Sequence, residues 1–328
     1  MNVRHLYELV SPVSYFKISK DYFGPGFRRF IYLFDYYVCL FFYGCTVTDY
    51  CVYEFWCRRH RSRREYVTLW KLHRACNVLN KKEFRKFFSS KLEFNKKFMN
   101  YRSIEWLDCS DKSISEAIFE RWCSCKSKII VKKAHGGGEG KTLKMLYLKD
   151  LDVHDLYNKL FPSDNIIEDL YIQNGILHEL NPSSVNTVRI FTVLQNSGTV
   201  IIPYAVLRIG CSDDFRDNAA GGNIFALIDP ESGVVISKAV NKKLQQFAFH
   251  PVSGKQIVGV TIPRWNEVLQ LVKNAANVCP EVRHVGWDVA ISDNDISLIE
   301  GNDDGDPVMQ EMILGHGIWP EYREYMRS

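Results

Sequence analysis

The chain has 328 residues, of which 46% are apolar and 24% charged, an ordinary balance for a soluble globular protein of one large domain or two to three small ones. The net charge of +4 hides an asymmetry: residues 1–100 carry 19 Lys/Arg against 8 Asp/Glu, and the remainder 23 against 30. The ten cysteines follow no zinc-ligand spacing and the opening MNVRHLYELV lacks the apolar run of a signal peptide, so reduced, mostly buried thiols in a cytosolic protein are expected.

Residues 1–27 read as a loop-rich lead-in broken at Gly24-Pro25-Gly26. Residues 30–45, FIYLFDYYVCLFFYGC, are too short for a span of about 20 apolar residues and contain Asp35, which points to a buried or interfacial aromatic helix. The run Arg58-Arg59-His60-Arg61-Ser62-Arg63-Arg64 reads first as a solvated helix end. Contact with an anionic membrane surface is the second reading, and nothing nearby carries a nucleic-acid fold signature. Apolar residues recur at helical spacing over 65–101, and again over 111–125.

From residue 128 the texture changes to short β-like runs: 128–133, 142–148, 165–173, 185–194, 200–209, 222–228 and 234–239. Helices are expected at 151–160, capped by Asp150 or Asp152, and at 264–278. The outline is α+β: a basic, aromatic-rich, mainly helical region over 1–100 and a mixed body over 101–328.

In the body, the strand ending Lys132-Lys133 runs into His135-Gly136-Gly137-Gly138-Glu139-Gly140-Lys141. Adjacent glycines let backbone N–H groups approach phosphate oxygens. A Walker A loop ending at Gly140-Lys141-Thr142 needs glycine at 135, where His135 stands, and a helix should follow. A strand-like run follows instead, so the loop reads as a hairpin flap over a nucleotide, with a plain glycine-rich turn as the bland alternative. Arg189 and Arg208 sit inside β runs, where a cation is costly without an anion. A carboxylate partner is the common explanation; a phosphate clamp is the functional one. Asp217-Asn218-Ala219-Ala220-Gly221-Gly222 reads as a loop able to close on substrate.

At 283–291 and 296–302 two strands flank the turn Ser292-Asp293-Asn294-Asp295. Glu300 and Asn302, two apart, share a face. If the turn sets Asp288 opposite Glu300, three oxygen-bearing side chains converge on a site that suits a hard ion, Mg2+ above all; an ordinary surface hairpin is the plain alternative.

Taken in order, these pieces resemble the ATP-grasp superfamily, in its sugar-transfer-associated branch. The matching words are Tyr43-Gly44 with Asp49-Tyr50, Arg64 with Tyr66, Asn80, Lys91 and the Lys132 glycine loop. They continue with HELNPSSVNTVRI (178–190), RIG (208–210), DNAAGG (217–222), HPVSGKQIVG (250–259), IP-x-W (262–265) and GWDVAI…LIEGN (286–302). The resemblance implies an ATP-grasp fold of two α+β lobes sandwiching ATP: a glycine-loop lobe at about 101–175 and a metal-binding, catalytic lobe at about 176–328.

Carried over by position, Lys91 and Lys132 would contact ATP phosphates. Gly136, Gly137 and Gly138 would form the flap, and Glu168, Asp169 and Tyr171 the adenine hinge. Asp288, Glu300 and Asn302 would hold Mg2+. Arg189 and Arg208 would face the transferred phosphoryl, with Asn218 in the closing loop. Lys133 departs from the family, where a proline often follows the strand lysine; no other expected lysine or metal position is missing. The implied activity is an ADP-forming ligase that joins a carboxylate to an amine through an acyl phosphate, on a sugar acid or amino acid of surface polysaccharide. Its partners would be small, sugar-linked carboxylates and amines, with no nucleic acid. Its place would be the cytoplasm, with peripheral contact at the inner membrane face through the basic N-terminal region. A phosphotransferase acting on a sugar and a non-catalytic nucleotide-binding scaffold are the alternatives.

Overall fold

The computed structural model describes residues 10–23, 26–135, 143–212 and 222–328. The N-terminal third is helical: α1 (Pro12–Phe23), α2 (Arg28–Tyr43), α3 (Val47–Val52), α4 (His60–Arg63), α5 (Leu69–Leu79), α6 (Lys86–Ser89) and α7 (Lys91–Lys97). Local chemistry sets these boundaries. Gly44 ends α2 at φ +65 and returns its N–H to the Cys39 and Leu40 carbonyls. A Cβ there would lie 2.1 Å from the Trp70 ring. Thr46 and Asp49 form a capping box for α3. The periodic stretch from residue 65 is not one helix. It breaks at Asn80, which bridges Val282, and at Ser90, which bridges His135, because both residues are extended to serve partners far along the chain.

The body is built on two antiparallel sheets. The smaller has β1 (Trp106–Asp108), β2 (Lys128–Lys133), β3 (Lys144–Tyr147) and β4 (Asn165–Asp169) in the order β1-β4-β2-β3. Strand alternation divides it. Ile129, Val131 and Ile167 face α8 (Glu116–Cys123) and α9 (Val153–Leu160, capped by Asp152) in one apolar cluster. On the other face, Ile166 packs with Leu92 of α7.

The larger sheet has β5 (Thr187–Leu194), β6 (Val200–Ile209), β7 (Ile224–Ile228), β8 (Ala239–Val240), β9 (Gln246–Phe247), β10 (His284–Ile291) and β11 (Ile296–Asn302). Its order is β11-β10-β5-β6-β7-β8-β9. Every residue of β5 and β10 is buried because both faces are covered. Val188, Ile190, Leu207, Trp287 and Val289 pack on α11 (Trp265–Val278) and on Phe88, Phe94 and Phe98. Phe191, Val206, Phe225 and Leu227 pack on the aromatic N-terminal helices and on α12 (Val308–Leu314). The basic N-terminal region is therefore one wall of the larger sheet.

The run expected at 234–239 forms only single bridges at Val234 and Val235, with β8 beginning at Ala239. There Ser237 Oγ takes the Leu227 N–H at 2.8 Å, in place of a strand carbonyl. The strand expected to reach residue 173 stops at Asp169. The Gln173 amide is inserted between Asn186 and Ile291, bonding the Asn186 backbone at both ends and the Ile291 carbonyl. The short strands β1 and β9, α10 (Gly175–Leu180), α12 and α13 (Trp319–Tyr325) carry too little periodicity to stand out in the sequence.

Candidate functional site

The C-terminal hairpin pairs with Asp288 directly opposite Glu300 and Gly286 opposite Asn302. A bulge after Asp288 leaves Ile299 unopposed, so Leu298 and Glu300 fall on opposite faces of the sheet. Gly286, Asp288, Ala290, Glu300 and Asn302 then share the face opposite Trp287 and Val289. Along that face Ala290 packs with Tyr171 and Ile104, and Asp288 lies one step further on. Tyr171, just past the smaller sheet, is pinned over the larger one by its hydroxyl, which donates to the Asp295 carbonyl at 2.7 Å.

Between the sheets lies a narrow cleft of about 40 Å³, lined among others by Lys91, Asn95, Lys132, Glu168, Ile299 and Glu300. Residues from α7, β2, β4 and β11 thus meet. Ser90 accepts the Glu93 N–H to cap α7, and the Lys91 N–H donates to the Ala134 carbonyl, which holds Lys91 beside the end of β2. The volume suits a few ordered waters rather than a nucleotide, since a water needs about 10–15 Å³ of such space.

Lys132 Nζ donates to Glu168 at 2.5 Å; Arg102 and Asn95 donate to the other oxygen, both at 2.9 Å. Burial would raise the Glu168 pKa, but Lys132 and Arg102 hold the carboxyl down at about 2. Arg102 also donates to the Leu298 and Ile299 carbonyls of β11, so one guanidinium ties the smaller sheet to the larger. Nothing in the sequence marked Arg102 or Asn95: a single Arg outside any motif shows its role only through the strands it joins. Asp169 alternates to the other side of β4 and pairs with Lys126 at 2.9 Å, away from the cleft.

Arg189 and Arg208 are committed to a carboxylate. Arg189 donates to both Asp288 oxygens, at 2.5 and 2.9 Å, and Arg208 to Oδ2 at 2.8 Å. Burial would raise Asp288, but the two guanidinium groups hold it at about 2. In this arrangement Arg189 and Arg208 together neutralise Asp288. Gly136, Gly137, Gly138 and Asn218 lie outside the described residues.

The donors divide when set against Mg2+. Glu300 faces the cleft with no ion pair among the described residues, and Asn302 spends only its Nδ2, on the Gly286 carbonyl at 3.5 Å. Two hard oxygens on one face fit such an ion. Asp288 does not fit as it stands, because both its oxygens are occupied by arginine. Just past Asn302, Asp303, Asp304 and Asp306 crowd one short segment, and only Asp303 has an ion pair among the described residues, with Arg85, so the segment after β11 carries surplus negative charge. Among the described lining residues, Lys91 and Lys132 offset only Glu168 and Glu300. A triphosphate would bring charge that needs a further cation.

A comparison with known protein families matches residues 154–326 to sugar-transfer associated ATP-grasp. The chain belongs to that family. Its α+β architecture, with two antiparallel sheets and a helical N-terminal region, is the ATP-grasp fold. No curated protein matches the chain. Solved structures similar to this ATP-grasp chain include biotin carboxylase from Campylobacter jejuni (14% identity, TM-score 0.46, 76% of this chain and 48% of that one). D-alanyl-alanine synthetase A from Vibrio cholerae is similar at 12% identity and TM-score 0.44 over 75% of this chain and 66% of that one. An N5-carboxyaminoimidazole ribonucleotide synthetase is similar at 11% and 0.40 over 66% of this chain and 45% of that one. The chain thus spans about half the length of the first and third of these, and likeness at this level adds nothing to the fold already described.

Proposed function

We propose that this ATP-grasp chain is an ADP-forming, Mg2+-dependent carboxylate–amine ligase acting in the cytoplasm on a sugar acid or amino acid destined for surface (capsular or exo-) polysaccharide. The observation that supports it is the meeting of Lys91 from α7, Lys132 and Glu168 from the smaller sheet and Glu300 from the larger in a single cleft. Tyr171 sits on the sheet face that continues to Asp288 and Asn302. In this reading the adenine end of ATP lies by Tyr171 and the phosphates run toward β11. Because the cleft is narrow, seating them turns Lys132 from Glu168 toward phosphate oxygen.

The chemistry has two steps. A substrate carboxylate oxygen forms a bond to the γ-phosphorus as the bond to ADP breaks. The amine nitrogen then bonds the acyl carbon, phosphate departs with its oxygen, and the amine proton passes to solvent. The chain's part is positioning and charge neutralisation. Lys91 and Lys132 would hold the phosphates, and Glu168 holds Lys132 in the cleft until they arrive. Arg189 and Arg208 keep Asp288 ionised on the face where Glu300 and Asn302 would hold Mg2+, which supplies charge neutralisation at the phosphates. No side-chain nucleophile is required.

The test is ADP release across a panel of sugar acids, amino acids and amines, with hydroxylamine added to trap the acyl phosphate as a hydroxamate. The reading expects a hydroxamate with one carboxylate and an amide once its amine is supplied. A phosphorylated product with no free phosphate would identify a phosphotransferase, and ATP binding without turnover on any acceptor a scaffold; either result overturns it.

A further inference from the structure

Helix α2 presents an apolar face to solvent. Phe27, just before it, and Phe30, Ile31, Phe34, Phe41 and Phe42 along it are each at least 55% exposed. At about 100° per residue these positions fall within an arc of about 120°, and together they run the whole length of the helix. The opposite side carries Tyr36, Cys39, Leu40 and Tyr43 into the core. So many exposed aromatic side chains in one stripe mark a surface with a partner.

The surroundings of the stripe are cationic. At its C-terminal end Phe42 opens onto a cavity of about 640 Å³ also lined by His60, Arg61, Arg64, Lys71 and Arg323. Among the described lining residues the one carboxylate is Glu65, and Trp319 also lines the cavity. Lys71 Nζ is anchored there, donating to the Arg64 and Tyr66 carbonyls at 2.7 Å each. Exposed Arg28 stands at the other end of the helix, and exposed Arg59 precedes α4. Two members of the arginine run are taken by the fold: Arg63 by Asp35 at 2.8 Å, and Arg58 by the Tyr53 and Gly315 carbonyls. Arg59, Arg61 and Arg64 remain exposed.

We propose that the aromatic face of α2 lies flat on an anionic lipid bilayer, its phenylalanines in the headgroup–acyl boundary and the Arg61–Arg64–Arg323 cavity receiving a lipid headgroup phosphate. An apolar stripe rimmed by arginine has the chemistry of an interfacial helix. Among the described residues no helix is long and apolar enough to cross a membrane, and α2 at 16 residues can only lie along the surface. A second copy of the chain is the weaker occupant. Pairing two such faces would bring arginine rims together with only Glu65 to oppose them in the cavity lining. The proposal is independent of the ligase reading.

The test is flotation of the full chain with vesicles of pure phosphatidylcholine and of equal parts phosphatidylcholine and phosphatidylglycerol, alongside sedimentation of the protein alone. The chain should float with the anionic vesicles, less so as salt is raised. F34S/F41S, at two exposed positions, should weaken partitioning by about tenfold per side chain with the circular dichroism unchanged. R61S/R64S should lose the preference for anionic vesicles. Absence of flotation, binding indifferent to both double variants, or a dimer that F34S/F41S converts to monomer would each overturn it.

Discussion

Asp288 and Glu300 face each other across one strand pair, yet the structure gives them different work. Asp288 is the shared counter-ion of two arginines, and removing its charge strands both. Asp288→Asn should therefore cost about 3–5 kcal/mol in urea unfolding, the usual price of half a buried ion pair. Glu300→Gln should stay within about 0.5 kcal/mol of the parent, because no described ion pair depends on it, while ADP release falls and its Mg2+ requirement rises. Equal destabilisation by the two would remove the distinction. The pH dependence follows from the same groups. Asp288 and Glu168 are held at about 2, below their ordinary values of 3.8 and 4.5, so the stability they give is complete above those values and is lost as pH falls through about 2. Glu311 is the opposite case. It accepts the Val67 and Ile318 N–H groups, each at 2.9 Å, and burial pushes it up to about 8 from 4.5. Between those values the folded chain holds a proton that the unfolded chain releases, so stability should decline from pH 4.5 to about 8 and level off above. Glu311→Gln should flatten that decline in thermal melts taken across the range.

At the scale of elements, β11 carries both candidate metal donors, and its position is fixed by Gly301. A Cβ there would come within 2.9 Å of ring atoms of both Phe88, of α6, and Phe94, of the α7 that carries Lys91. The rings belong to a packed cluster, so they cannot both turn aside. Gly301→Ala should lower stability by about 1–3 kcal/mol and separate Glu300 from Lys91. A KM for ATP that rises more than kcat falls would be the kinetic sign; an unchanged KM would mean that β11 tolerates the shift. The bulge at Ile299 was invisible beforehand. Strict alternation sets Leu298 and Glu300 on one side, whereas the extra residue turns Leu298 into the core and leaves Glu300 opposite Asp288.

For the whole molecule, the cleft exists because two sheets are held at a fixed separation, and Arg102 bridges them, from Glu168 of β4 to the carbonyls of β11. Arg102→Met should weaken both lobes' grip: Glu168 loses a counter-charge and β11 loses donors to its carbonyls. Hydrogen exchange should accelerate in β4 and β11 together while β6 and β7 keep their protection; faster exchange confined to β4 would show that the bridge does not couple the sheets.

The sequence by itself located strands and helices wherever side-chain periodicity reports burial, as in β2 and α11. The resemblance named Lys91, Lys132, Glu168 and Glu300, and the fold brings all four to one cleft, with Glu168, implied as part of the adenine hinge, bonded there to Lys132. What only the tertiary structure decided was how charge is partnered. Arg189, Arg208 and Asp288 lie 99 and 80 residues apart in sequence and neutralise one another in space. Arg102 gains its role from strands 66 and 196 residues away. The breaks at Asn80 and Ser90 likewise answer to distant partners, His284 and Ala134. Periodicity is a property of neighbours along the chain. The pairing energy of a buried charge depends on which strands the fold sets side by side, and no local window contains it.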